Sequence, residues 1–111
     1  MIVKLIVLYP PPADADSFEV AFVEERVPQI MRAANGLTRF VLAKCLWGVD
    51  GPLPYHMLAE LTFPSLEALQ TGLPPAAIRP LLRHESAAGG DKQPIAFVCV
   101  EERIWPPGPT I

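Results

Sequence analysis

Four short apolar runs, separated by two stretches with helix start and stop signals and by proline-rich joints, predict an α+β domain with the element order β-α-β-β-α-β. Each apolar run is rich in β-branched and aromatic residues and stops at Pro or Gly. The helical stretches open near Asp and Ser and close at Gly. This is the split βαβ order of the ferredoxin-like fold, a four-stranded antiparallel sheet with both helices on one face. At 111 residues, the chain has room for one such domain, residues 1–111, and for no second one.

The first strand is expected over Ile2 to Tyr9 and stops at the triple proline Pro10 to Pro12, because proline offers no ladder donor. In "DADSFE", Asp16 and Glu19 stand at capping-box spacing with Ser17 as a rival cap. The helix they open runs to "AANG", where Gly36 is suited to a left-handed stop. The run "LTRFVLAKCLW" from Leu37 reads as the second strand, "GVDGPLP" as a loop and "YHMLAELTF" as the third strand. Ser65 caps a short helix with Glu67 in its first turn and Gly72 at its end. A further helical piece, "AAIRPLLRHE", is interrupted at Pro80. The loop "AAGGDKQ" is expected to be flexible and leads to the fourth strand, "PIAFVCVEERIW", which ends in a proline-rich tail.

The strands do not alternate cleanly between apolar and polar residues, so both faces of the sheet are expected to be covered. Two helices cover one face, and a second copy of the sheet is the available cover for the other. The expectation is a homodimer forming a shared barrel, a dimeric α+β barrel, with the tail from Ile104 to Ile111 lying on the partner. A merely greasy open face is the competing reading.

Composition excludes several functions. A net charge of -3 with scattered basic residues gives no stripe to neutralise phosphates, so nucleic acid is not expected as a partner. The run "MIVKLIVLY" is interrupted by Lys4 and lacks a small-residue cleavage site, so it reads as a strand and not as a signal peptide. No apolar window reaches the length of a membrane helix, and a cytoplasmic protein that does not contact membrane is expected. Cys45 and Cys99 lie in apolar runs without metal spacing and are expected to be buried, reduced thiols. The 14 prolines cluster at joints between elements, which argues against low complexity.

The first helix carries one unusual charge. On a helical wheel started at Phe18, Phe22 falls at about 40°, Arg26 at about 80°, Ile30 at about 120°, Val23 at about 140° and Val27 at about 180°. Glu24 and Glu25 fall outside this arc. Arg26 and Glu19 are the helix charges that face the sheet, and Glu19 is explained by its place in the first turn. A guanidinium on an apolar face snorkels to water, pairs with a carboxylate such as Glu60 of the third strand, or holds an anionic ligand. Pro28 removes the amide that would bond to Glu24 and is expected to kink the helix just after Arg26, opening space above the sheet.

The element order, the pattern Phe18-x-x-x-Phe22-x-x-x-Arg26-x-Pro28, and the stretch "PLPYHMLAELTF" followed by "SLEAL" resemble the EthD family of dimeric α+β barrel proteins. The similarity runs from about Met1 to Val100. It implies a small dimeric protein, with relatives linked to breakdown or tailoring of small organic molecules and related barrels that include oxygenases, lactone isomerases and polyketide cyclases. Phe22 and Pro28 keep the family's aromatic and proline. Arg26 stands where the family usually has a histidine, which replaces a general base by a fixed cation.

The resulting candidates for ligand contact are Tyr9, Phe22, Arg26, Tyr55, His56 and Glu60, with His56 and Arg26 as candidate catalytic groups. His56, which follows Tyr55 at the edge of the third strand, is an acid or base or else a hydrogen-bonded structural group. His84 is expected to be exposed, and Ser86 has no nucleophile motif around it. There is no P-loop, dinucleotide fingerprint, zinc spacing or calcium loop, so no metal and no cofactor is expected. The readings are a cofactor-independent oxygenase, cyclase or isomerase acting on an apolar or aromatic small organic molecule, a non-catalytic binding or accessory protein, and a structural dimer.

Overall fold

The computed structural model describes residues 1–79 and 94–106. Its elements follow the expected order: β1 (Val3–Tyr9), α1 (Ala15–Ala21), a π turn (Phe22–Arg26), α2 (Val27–Ala33), β2 (Arg39–Lys44), β3 (Met57–Phe63), α3 (Leu66–Gly72) and β4 (Ile95–Val100). A short helical turn covers residues 75–79. The strands form one sheet in the order β2-β3-β1-β4 with every neighbour antiparallel, which is the ferredoxin-like topology. His84, Ser86, the interruption at Pro80, the loop before β4 and the tail beyond residue 106 lie outside the described residues.

Register separates the two faces. In β1 and β3 buried and half-buried residues alternate without exception, because successive side chains of a strand point to opposite faces. Val3, Leu5, Val7 and Tyr9 pair with Phe63, Leu61, Ala59 and Met57 on the helix-covered face. Phe18, Phe22, Ile30, Leu69 and Leu73 close over them to form the core. Lys4, Ile6 and Leu8 share the other face with Thr62, Glu60 and Leu58, and Lys4 Nζ bonds Glu60 Oε1 there at 2.5 Å. The outer strands add Val41 on one side and Phe97 and Cys99 on the other.

The helix caps and strand ends correct several expectations. Asp14, not Asp16, caps α1: its backbone is extended and its carboxylate accepts from the Ser17 amide at 3.2 Å. The helix therefore begins two residues earlier than Asp16 would allow as a cap. Ser65 caps α3 as expected, accepting from the Ala68 amide at 3.0 Å, and Gly36 takes a φ of 88°, where a side chain would be strained. The second, third and fourth strands are shorter than the apolar runs that announced them, leaving Leu37, Cys45, Tyr55, His56 and Glu101 in connections. Neither cysteine is buried. Cys45 is half-buried just past β2, and Cys99 is exposed on the face that the helices leave open.

The distortion near Pro28 also differs from a simple kink. The Val27 amide donates to the Phe22 carbonyl, five residues back, making a π turn that ends before the proline. A proline at position 28 has no amide for the Glu24 carbonyl, and its ring crowds that carbonyl in a regular helix. The wider turn relieves the crowding upstream of the ring. It also changes which residues align. Phe18, Phe22, Arg26 and Ile30, spaced four apart, drift around a regular helix but are all buried here, whereas Val23, expected on the same arc, is 55% exposed.

Candidate functional site

The end of the sheet that holds Tyr9 gathers most of the candidate residues. Tyr9 closes β1 opposite Met57, and its carbonyl accepts the His56 amide at 2.7 Å. The His56 carbonyl accepts the Cys45 amide at 2.9 Å, so the backbone of His56 is held from both sides although it precedes β3. A bend at His56 breaks the strand alternation. Its ring turns towards α1.

There the imidazole Nε2 lies 3.1 Å from Glu19 Oε1, and the same oxygen is 3.1 Å from Lys44 Nζ at the end of β2. A carboxylate only accepts, so Nε2 carries the hydrogen and Nδ1 of the neutral ring keeps the lone pair. Lys44, acting first through its hydrogen bond, holds the Glu19 carboxyl below the ordinary carboxylate range; desolvation opposes this and the His56 bond adds to it. Glu19 is therefore a fixed anion between a cation and an imidazole.

Beside this trio stands an aromatic cluster. The Phe18 ring meets His56 edge to face at 6.0 Å, and Tyr9 meets Phe22 the same way at 5.1 Å. Phe18 lies 6.0 Å from Tyr9 and 5.8 Å from Phe22, distances typical of favourable ring pairs. The π turn seats Arg26 on the buried face beneath the same helix, 5% exposed, with Nη1 donating to Gln29 Oε1 at 2.6 Å. Arg26 is thus buried, and it does not snorkel.

Of the expected residues, the structure brings together Tyr9, Phe22 and His56, and it places Arg26 on their face of the sheet. Tyr55 is half-buried in the connection before β3. Glu60 is separated from them: it points from the open face and pairs with Lys4, so an Arg26 to Glu60 pair would have to cross the sheet. Register decides this, because Glu60 is an odd number of residues from the core positions Ala59 and Leu61. Three residues of the site were not among the candidates: Phe18, which opens the helix pattern Phe18-x-x-x-Phe22, and Glu19 and Lys44. Glu19 had a signal in its inward position on the wheel, but a first-turn role accounted for it.

Two clefts among the described residues differ in their relation to this site. An apolar one of about 440 Å³ sits at the opposite end of β1, lined by Met1, Val3, Leu66, Val98 and Val100. A shallow groove of about 290 Å³ runs along α1 beside Glu19, Val20, Val23 and Glu24. Among the described residues no helix is long and apolar enough to cross a membrane.

An EthD family protein from Bacillus halodurans C-125 superposes with a TM-score of 0.73 at 22% identity, over 92% of this chain and all of that one. This chain has the fold of an EthD protein. The EthD-type fold also matches SnoaB, a cofactor-independent oxygenase from Streptomyces nogalater, with a TM-score of 0.62 at 16% identity over 95% of this chain and 97% of that one. A dimeric ferredoxin-like protein from Jannaschia sp. CCS1 matches with a TM-score of 0.64 at 15% identity, over 91% of this chain and all of that one. No protein-family model and no curated protein sequence matches, so the likeness is one of EthD-type structure.

Proposed function

We propose that the chain is an EthD-type protein of small-molecule metabolism, cytoplasmic and homodimeric, that binds an apolar or aromatic compound on the helix-covered face and transfers a proton through His56. The supporting observation is the imidazole held 3.1 Å from Glu19 Oε1 at the rim of the Tyr9, Phe18 and Phe22 cluster. Rings line the apolar side and a proton acceptor stands at their edge. Arg26, buried under the same helix, supplies a permanent positive charge that favours an oxyanion developing on the ligand. The EthD and oxygenase neighbours support a small-molecule role. The open sheet face, with Ile6, Leu8, Val41 and Phe97, supports the dimer.

Two observations favour a second reading, a binding protein without turnover. The rings of the cluster pack against each other, and Arg26 stands where the resemblance implies a histidine. The two readings separate in one titration. The probe is 1-hydroxy-2-naphthoate, followed by its own fluorescence with wild type, Phe22→Ala, Arg26→Ala and His56→Ala. Loss of binding with Phe22→Ala and Arg26→Ala, with His56→Ala still binding but no longer shifting the probe's ionisation, supports a proton-transfer site. Binding and ionisation that are indifferent to His56 leave the binding-protein reading, and binding indifferent to all three places the ligand elsewhere.

A further inference from the structure

We infer that Glu19 is the positioning residue for His56, fixing the ring with hydrogen on Nε2 and the lone pair on Nδ1, and stabilising the imidazolium once a proton arrives. The inference rests on the reading of His56 as the proton acceptor and adds the residues through which it works. Three elements converge on one carboxylate oxygen: α1 carries Glu19, β2 ends at Lys44, and His56 leads into β3. His56 is anchored through its backbone to Tyr9 and Cys45, and its ring is walled by Phe18. The hydrogen bond to Glu19 is then the contact that chooses between the two ring nitrogens.

The proton balance is simple. A hydroxyl of the bound compound gives its proton to Nδ1, its oxygen keeps the electron pair as an oxyanion, and the new positive charge on the ring is shared with Glu19 across Nε2. No oxidant or reductant enters this step. Lys44 has a supporting part: its ammonium keeps Glu19 ionised, so the carboxylate is ready as an acceptor throughout. The Lys44 side chain is 56% exposed, so solvent screens this contact although it leads in holding Glu19 ionised.

The test has two parts on the full-length chain. Nitrogen-15 NMR of the histidine rings, with His56→Ala assigning the signal, is expected to show His56 in the form protonated at Nε2 in wild type. A ring protonated at Nδ1 instead overturns the inference without any ligand present. The second part uses 2-naphthol, whose ionisation is read by absorbance, and 2-methoxynaphthalene, which cannot ionise, as the affinity control. Glu19→Gln is expected to lower the bound naphthol's ionisation constant about tenfold, the size of one charge-assisted bond, while leaving methoxynaphthalene affinity unchanged. Glu24→Gln, an exposed carboxylate on the following turn, is expected to match wild type. If His56→Ala abolishes the ionisation and Glu19→Gln leaves it as in wild type, the positioning role is wrong and the site stands. If His56→Ala also leaves it unchanged, the reading of the site itself fails.

Discussion

The two faces of the sheet are built from alternate residues of the same strands and have opposite needs. On the helix-covered face Val3, Leu5, Val7 and Tyr9 are all buried within one chain, the aromatic cluster and the Glu19 to His56 contact lie over their Tyr9 end, and Arg26 is buried on the same face. On the other face Lys4, Ile6 and Leu8 are half-buried, with Phe97 42% exposed beside them on β4. One face is closed by its own helices and carries the candidate chemistry. The other carries the Lys4 to Glu60 ion pair, with Arg39 and Thr62, among Ile6, Leu8, Val41 and Phe97, and is the face that the proposed dimer would cover. The lesson is that a strand apolar on both parities does not itself say which face its own helices will cover.

The sharpest way to break this contrast is to empty the closed face. Phe22→Ala removes a ring that is 1% exposed and packed on two others, and is expected to cost about 3–5 kcal/mol in urea unfolding. A loss well below that range means that the cluster is loosely packed. Phe97→Asp probes the open face instead. It is expected to reduce the mass measured by light scattering from two chains to one, with the circular dichroism of the fold retained, whereas a wild type that is already monomeric removes the need for a partner.

A smaller effect tests whether the faces are independent. Arg26→Ala and Glu60→Ala, on opposite sides of the sheet, are expected to add within about 0.5 kcal/mol in a double-mutant cycle. Coupling above that would mean the two groups communicate through the sheet. The smallest effect concerns Lys44. Because Lys44 and His56 hold the Glu19 carboxyl below its ordinary value, the stability it contributes is complete above the ordinary carboxylate range and is lost as pH falls through the lower folded value. Lys44→Ala removes the leading cause. Its melting temperature is therefore expected to lie below wild type near neutral pH and to converge on it between about pH 5 and pH 3; a gap that stays constant over that range refutes the linkage.

The fold was legible because its signals are local: prolines and glycines stop the strands, Ser65 caps α3 and Gly36 takes the left-handed turn. Asp14 was missed as the cap because three candidates stand within four residues and only backbone conformation separates them. The burial of Arg26 was half legible. Its four-residue spacing from Phe22 and Ile30 marked it as inward, but the π turn that aligns all three follows from how the helix relieves crowding at Pro28. Glu60 could not be placed from its apolar neighbours alone, since in a strand apolar on both parities only the pairing register says which face a residue joins. Lys44 and His56 meet Glu19 across 25 and 37 positions of sequence, a distance that no local pattern spans. Cys99 was read as buried because it lies in an apolar run, but composition reports what a strand is made of and not which of its faces is covered.

The division of labour between the faces is tested most directly by mapping, residue by residue, where a small aromatic ligand perturbs the NMR spectrum of the wild-type chain. With 2-naphthol as the ligand, the shifts are expected to cluster at Tyr9, Phe18, Glu19, Phe22 and His56, with Lys4, Ile6, Glu60 and Phe97 unmoved. Shifts confined to Lys4, Ile6 and Phe97, with the helix face silent, would contradict it.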